Sequence, residues 1–290
     1  MKTTTVKGTN DYLPKEAALR DYLQNVILDV YRSHGFRRIM TPAIEDAENL
    51  DKSEGGENLN LIFKILKRGE KLEKAIAEGK MDELSDMGLR YDLTLPLTRY
   101  YANNKDKLLT PFKCIQIDKV YRAERPQKGR LREFVQCDID ILGSSSWCCE
   151  VELIDVTAQA LLAIGIGEFQ IKINDRRILK NVLLNLGFAQ EELDSVCITF
   201  DKLDKIGVEG VKAELAQKGF AQESIDRLSE LLAKMPFTLE TVRPYCTDAE
   251  TLENLERIVS AVEQIAGGRY EVVFDISLVR GQGYYTGTIF

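Results

Sequence analysis

The 290-residue chain contains one histidine, His34, and that scarcity removes most histidine-based chemistry. A Ser-His-Asp triad, a Cys-His dyad or a multi-histidine zinc site would have to be built around this single residue. It lies in Tyr31-Arg32-Ser33-His34-Gly35-Phe36, a polar junction that reads as the C-terminal end of an amphipathic helix. The six cysteines, at 114, 137, 148, 149, 197 and 246, include no C-x-x-C pair. Adjacent Cys148 and Cys149 make a poor clamp for a metal, so reduced and mostly structural thiols are expected. Long apolar runs are missing as well. Residues 1–8 lack the apolar stretch of a secretory signal, and the most apolar segment, 158–166, is far short of the ~20 residues a membrane span needs. A cytoplasmic chain without a membrane partner is the expectation. No G-x-x-x-x-G-K-[ST] occurs, and Gly165-Ile166-Gly167 lacks the third glycine and strand context of a dinucleotide fingerprint. Neither common nucleotide-binding fold therefore applies.

What is present is ordinary for a folded protein. Hydrophobic residues make up 44% and charged residues 29%, which argues against wholesale disorder. Lys and Arg total 39 against 46 Asp and Glu, a formal charge of −7. An acidic total excludes a protein that coats nucleic acid by bulk charge, but not a local basic site. At about 150 residues per domain, the length predicts two domains.

Residues 16–34 carry Ala18, Leu19, Leu23, Val26, Ile27, Val30 and Tyr31 at helical spacing, with Gly35 as the stop. Residues 36–42 read as a strand ending at Pro42. The stretch 51–86 is charged and punctuated by Gly55-Gly56, Gly69 and Gly79, with Gly88 just beyond. It is expected to be loop, apart from a short strand over 61–65 and a helix over 70–78. Two alternating runs within 112–143 predict a long β-hairpin. A helix over 147–164 and a strand over 169–173 follow. From Arg176 to about Ile265 the pattern is helical, with breaks at Gly187, Gly207, Gly219, Pro236 and Pro244. Strand character returns at 271–275 and again at 284–290. The expectation is an α+β fold with 1–175 plus 266–290 as one domain and 176–265 as an all-helical insertion. The apolar ending Thr288-Ile289-Phe290 reads as a chain cut in mid-domain.

The hairpin tip concentrates charge. Within 119–132 stand Lys119, Arg122, Arg125, Lys128, Arg130 and Arg132 against Glu124 alone, a local +5. Guanidinium forks stay charged and bind phosphate oxygens bidentately. On the outgoing strand Val135, Cys137, Ile139 and Ile141 share one face, and Gln136, Asp138 and Asp140 the other. On the incoming strand Ile115, Ile117 and Tyr121 are apolar, and Gln116, Asp118 and Arg122 polar. A tip centred on Gly129 sets Arg122 opposite Gln136. Such a surface suits a ligand with phosphate at one end and an ammonium or imidazole at the other.

Five segments then resemble one family. Glu124-Arg125-Pro126-Gln127-Lys128-Gly129-Arg130, with Arg132-Glu133-Phe134 and Gln136, closely resembles motif 2 of the histidyl-tRNA synthetases. Lys7-Gly8-Thr9-Asn10-Asp11-Tyr12-Leu13-Pro14 resembles the family's opening, and 35–42 its motif 1, which lies at the class II dimer interface. Leu89-Arg90-Tyr91-Asp92-Leu93-Thr94-Leu95-Pro96 resembles its amino-acid-binding strand. Leu278-Val279-Arg280-Gly281 and Tyr284-Tyr285-Thr286-Gly287 resemble its histidine-specific motif, although Gly283 stands where many members carry an acidic residue. The resemblance implies a class II antiparallel sheet flanked by helices, a homodimer, and histidine, ATP and tRNA(His) as partners. Mg2+ is expected with the ATP.

The same resemblance implies residue roles. Arg122 would grip the substrate carboxylate and the ATP α-phosphate. Glu124, Arg125, Arg130 and Arg132 would serve outer phosphates and the tRNA acceptor end. Asp92, Thr94 and Gln136 would receive the histidine ammonium, Asp140, Tyr284 and Tyr285 the side-chain end, and Arg280 the carboxylate and α-phosphate. The family's motif 3 and anticodon-binding domain do not follow Phe290. The chain is therefore expected to be a catalytic-domain fragment that binds histidine weakly and activates it poorly. Two other readings stay open: a non-enzymatic, histidine-sensing regulatory subunit of ATP phosphoribosyltransferase, and a tRNA-binding module without catalysis.

Overall fold

A computed structural model describes residues 2–51, 61–234, 237–278 and 286–290. The glycine pair at 55–56, the break at Pro236, and Arg280, Gly283, Tyr284 and Tyr285 of the histidine-specific segment lie outside the described residues. The chain forms two compact units, Met1–Ser144 and Ser145–Phe290.

The first unit opens with α1 (Pro14–Ser33). Pro14 occupies its first turn, where a missing N–H costs nothing, and the Glu16 carboxylate accepts the Leu13 N–H at 2.9 Å. The helix ends at His34, its C-cap, as the sequence predicts. Two three-stranded sheets follow. One has the order β1 (Arg37–Arg38), β5 (Phe112–Tyr121), β6 (Glu133–Leu142), with β1 parallel and β6 antiparallel to β5. The other is antiparallel, with β4 (Ser85–Leu89) between β2 (Ile44–Asp46) and β3 (Phe63–Leu66). Among the described residues, helices α2 (Ala47–Asp51), α3 (Glu70–Ala77) and α4 (Thr94–Asn104) accompany these sheets. β5 is the central strand of its sheet, and Cys114, Ile115, Gln116 and Ile117 are all buried, so its polar side is withdrawn from water at Gln116.

In the second unit β7 (Gln170–Asp175) pairs in parallel with β8 (Glu271–Phe274) and antiparallel with β9 (Thr288–Ile289). Helix α5 (Cys148–Ala163) precedes this sheet. Between β7 and β8 the chain makes one helical excursion: α6 (Arg176–Asn185), α7 (Leu193–Phe200), α8 (Leu203–Gln217), α9 (Gln222–Leu232), α10 (Leu239–Val242) and α11 (Ala249–Ala266). The break expected at Gly207 is a non-helical residue inside α8, at φ 68°. On α11 the residues Leu252, Leu255, Ile258, Val259 and Val262 form one buried stripe at helical spacing. Asp248 caps its start by accepting the Thr251 N–H at 3.1 Å. Gly267 ends it in the left-handed conformation that glycine adopts without Cβ strain. One core joins these helices to α5 and the sheet through Ile154, Ile171, Ile173, Leu179 and Leu255.

All six cysteines carry free thiols. Among the described residues no helix is long and apolar enough to cross a membrane.

Candidate active site

The site begins with the register of the hairpin. Asp118 lies opposite Gln136, Gln116 opposite Asp138 and Cys114 opposite Asp140. The expected pairing of Arg122 with Gln136 is therefore corrected: the Arg122 N–H donates to the Arg132 carbonyl at 2.9 Å. The reason lies at 123–126. The Ala123 N–H leaves the hairpin and donates to Leu61 O at 2.8 Å, and Pro126 has no N–H to give. Pairing resumes only between Gln127 and Arg130, so the incoming strand carries extra residues before the turn. Arg122 and Gln136 still share the polar face, because paired residues of an antiparallel ladder point to the same side. The Arg122 guanidinium lies 5.1 Å from the Phe134 ring centre, and its Nε donates to the Tyr91 carbonyl at 3.1 Å.

That second bond ties the hairpin to the segment after β4. The expected strand through 89–96 ends at Leu89, and Thr94 is the first residue of α4, a further correction. Pro96 fits the first helical turn, where its ring meets no preceding turn. Asp92 sits just before the helix and accepts the Leu95 N–H at 3.3 Å, so the helix N-terminus holds its carboxylate in place. Thr94 is exposed, whereas Asp92 is buried.

Next to these residues is a buried frame built on Arg90, Gln116 and Glu45. Arg90 is 1% exposed and is fully engaged. Its Nε donates to Lys119 O at 2.8 Å, its Nη1 to Thr41 O at 2.7 Å, and its Nη2 pairs with Asp118 at 2.9 Å. Gln116 accepts from the Thr41 hydroxyl at 3.2 Å and donates to Leu93 O at 3.0 Å. These two side chains lock the residues after β1, the start of α4 and strand β5 together. Arg99 on α4 adds a two-pronged ion pair to buried Glu45 on β2, both contacts at 2.7 Å. The only sequence signal for this frame is polar residues inside strand patterns, and their partners stand up to 75 positions away.

Among the described residues, the electrostatics of the face are those of three carboxylates, Asp92, Asp138 and Asp140, beside the Arg122 guanidinium. Asp140 is pushed up from 3.8 to about 7, first by burial and then by the charges of Asp138 and Asp92. Asp92 is raised chiefly by burial, against the pull of the Leu95 N–H and Arg122. Asp138 is likewise raised by burial, and held down by the Gln136 amide and Arg122. Three carboxylates in each other's field with one guanidinium favour a cationic ligand group. Among the described residues no group of three or more His, Cys, Asp or Glu is arranged to hold a metal ion.

The basic loop is less bare than its local +5 suggests. Arg130 pairs with Glu124 at 3.3 Å, Arg132 Nε donates to Glu124 O at 3.2 Å, and Lys119 pairs with Glu133 at 2.8 Å. Arg125 and Lys128 are exposed. The opening segment supports the loop: Gly8 O accepts the Arg132 N–H at 2.7 Å. Gly8 has φ 88°, and a Cβ there would come 2.8 Å from Pro126 Cγ. This close approach requires glycine.

In the second unit Asn174, Asp175 and Arg176 hold both flanks of the 279–285 segment. Buried Asn174 donates to Ile276 O at 3.1 Å and Leu278 O at 3.0 Å. The Arg176 N–H donates to Gly287 O at 3.1 Å, and the Thr288 hydroxyl donates to Asp175 at 3.4 Å.

Comparison with known proteins decides the family. The model of the histidyl-tRNA synthetase family matches residues 8–290. The chain belongs to this family. It is 42% identical to the histidine–tRNA ligase of Leifsonia xyli subsp. xyli, an alignment covering 99% of this chain and 69% of that protein. It is 40% identical to the histidine–tRNA ligase of Phocaeicola vulgatus, covering 98% and 65%. The chain thus spans about two thirds of the length of these relatives. Among solved structures, the histidyl-tRNA synthetase of Nostoc sp. PCC 7120 superposes with a TM-score of 0.81 at 28% identity, covering 99% of this chain and 64% of that one. A Bacillus halodurans C structure described as an ATP phosphoribosyltransferase regulatory subunit/histidyl-tRNA synthetase also reaches 0.81, at 20% identity over 99% of this chain and 72% of that one, and shares the fold. The α+β synthetase fold expected from sequence is the fold of this family member.

Proposed function

We propose that the chain carries the amino-acid site of a histidine–tRNA ligase, which activates histidine with ATP and passes it to tRNA(His). The supporting observation is one polar face that gathers Arg122, Gln136 and Asp140 beside Asp92. In this reading the histidine carboxylate oxygen attacks the ATP α-phosphate. A carboxyl–phosphate bond forms as the bond to pyrophosphate breaks; the terminal ribose hydroxyl then loses its proton and takes the acyl group, and AMP leaves. Arg122 holds the carboxylate and α-phosphate. Asp92, Thr94 and Gln136 take the ammonium, and Asp140 the imidazole. Arg280, Tyr284 and Tyr285 are assigned by family resemblance to the same substrate, and Glu124, Arg125, Arg130 and Arg132 to phosphates and the acceptor end. The chemistry asks for positioning and fixed charge more than for protein proton transfer, which is compatible with a chain holding a single histidine. Mg2+ would arrive with the ATP phosphates and neutralise their charge.

The domain parse belongs to the same proposal: 1–175 plus 266–290 as the catalytic domain and 176–265 as the insertion. The excursion between adjacent strands β7 and β8 supports it. A cytoplasmic homodimer, joined through the motif 1 region, completes the reading; light scattering showing only monomer would contradict the dimer. Titration calorimetry with L-histidine tests recognition, and ATP–pyrophosphate exchange tests activation. Histidine binding that weakens about 10-fold or more in Asp140→Asn supports the site. Binding unaffected by that substitution refutes it. The regulatory-subunit reading differs by predicting histidine binding without exchange, together with capture of a phosphoribosyltransferase chain.

A further inference from the structure

We infer that Asp138 sets the polarity of the amino-acid pocket, by orienting the Gln136 amide so that its oxygen faces the ligand's ammonium. This rests on the histidine reading above and deepens it. Gln136 and Asp138 are two apart on β6 and so lie on one face. Gln136 Nε2 donates to Asp138 Oδ2 at 2.8 Å. An ionised carboxylate only accepts hydrogen bonds, so it can engage the nitrogen end of the amide and not the oxygen end. With the nitrogen committed, the oxygen is turned to the opposite side. A glutamine without such a neighbour can present either end, and its own chemistry does not choose.

The choice matters because an α-ammonium carries only donors. It binds an amide oxygen and is repelled by an amide NH2. The residue directly across the ladder is already engaged elsewhere. Asp118 faces Gln136, but its Oδ2 is held by buried Arg90 at 2.9 Å and its Oδ1 accepts the Lys119 N–H at 2.8 Å. Gln116, opposite Asp138, is engaged with Thr41 and Leu93. Asp138 is therefore a positioning residue: it acts on the ammonium through Gln136.

The test is calorimetric titration of the 290-residue chain with L-histidine and, separately, with imidazolepropionate, which is histidine without its ammonium. Asp138→Asn keeps the size of the side chain but can both donate and accept, so it no longer fixes the amide. The expected result is a loss of histidine affinity of about 10-fold or more, with imidazolepropionate affinity held within about twofold. Gln136→Ala should lose a similar factor, and adding Asp138→Asn to it should cost little more, because the two residues act as one unit. Asp138→Ala, with folding checked by circular dichroism, makes the same test if the asparagine variant does not fold. Equal losses for both ligands, or no loss for histidine, overturn the role of Asp138 while leaving the histidine site standing. No histidine binding by the unsubstituted chain overturns the site, and this inference with it.

Discussion

Asp140 offers a test in which stability and function move in opposite directions. Its carboxyl ionises near 3.8 in an unfolded chain and near 7 in the fold, because burial and then the charges of Asp138 and Asp92 disfavour the anion. The sign follows from linkage. Below about pH 4 the group is protonated in both states; between about 4 and 7 the unfolded chain releases the proton and the folded chain keeps it. Stability therefore falls as pH rises through this window and levels off above it. A separation of about three pH units, at about 1.4 kcal/mol each, sets a ceiling of ~4 kcal/mol. Asp140 is only partly buried, and solvent screening reduces the expected cost to about 1–2 kcal/mol. Asp140→Asn removes the charge. Relative to the unsubstituted chain it should be near neutral below about pH 4 and more stable by about 1–2 kcal/mol at about pH 8. Trp147 lies in the second unit, so tryptophan fluorescence reports the wrong half. Urea unfolding followed by hydrogen exchange of the β5 and β6 amides reads the right one. Parallel pH profiles for the two proteins would refute the burial argument. The same substitution should weaken histidine binding, so the carboxylate is kept at a cost to stability.

Three further outcomes follow from the frame and the loop. Arg90→Leu should destabilise the first unit by about 3–5 kcal/mol, because it strands Asp118 and the carbonyls of Thr41 and Lys119; a urea midpoint shift worth less than about 1 kcal/mol would contradict the keystone role. Gly8→Ala should lower stability by about 1–2 kcal/mol, since its positive φ and the Pro126 contact both oppose a Cβ; an unchanged thermal midpoint would show that the opening segment does not brace the loop. Replacing exposed Arg125 or Lys128 by alanine should lower tRNA affinity and reduce the log–log salt slope by roughly one for each phosphate no longer neutralised; an unaltered slope in filter binding would remove the loop from the tRNA interface.

Much of this architecture can be read in the residues. The expected helices over 16–34, 70–78 and 147–164 correspond to α1, α3 and α5, because apolar periodicity is a local property. The polar face of the hairpin is also legible, since alternation on a strand assigns Gln136, Asp138 and Asp140 to one side whatever the partner. The register is not. It depends on where Ala123 sends its N–H, and that acceptor, Leu61, lies in another part of the chain. Thr94 misleads for a local reason: the residue before a proline is biased toward extended backbone, yet Leu95 and Pro96 both lie in the first turn of α4. Arg90 and Gln116 are invisible because a buried polar side chain looks like any other until its distant partners are known. Asp138 is halfway between. Its face is readable, but its bond to Gln136 is a fact of the fold.

The central claim is that the face bearing Arg122, Gln136 and Asp140 receives histidine. A crystal structure of the chain with L-histidine tests it most directly. The expected complex has the imidazole within hydrogen-bond distance of Asp140, the ammonium against the Gln136 oxygen and Asp92, and the carboxylate toward Arg122. Histidine bound elsewhere, or bound here with its ammonium on Asp140 and its imidazole on Gln136, would contradict it.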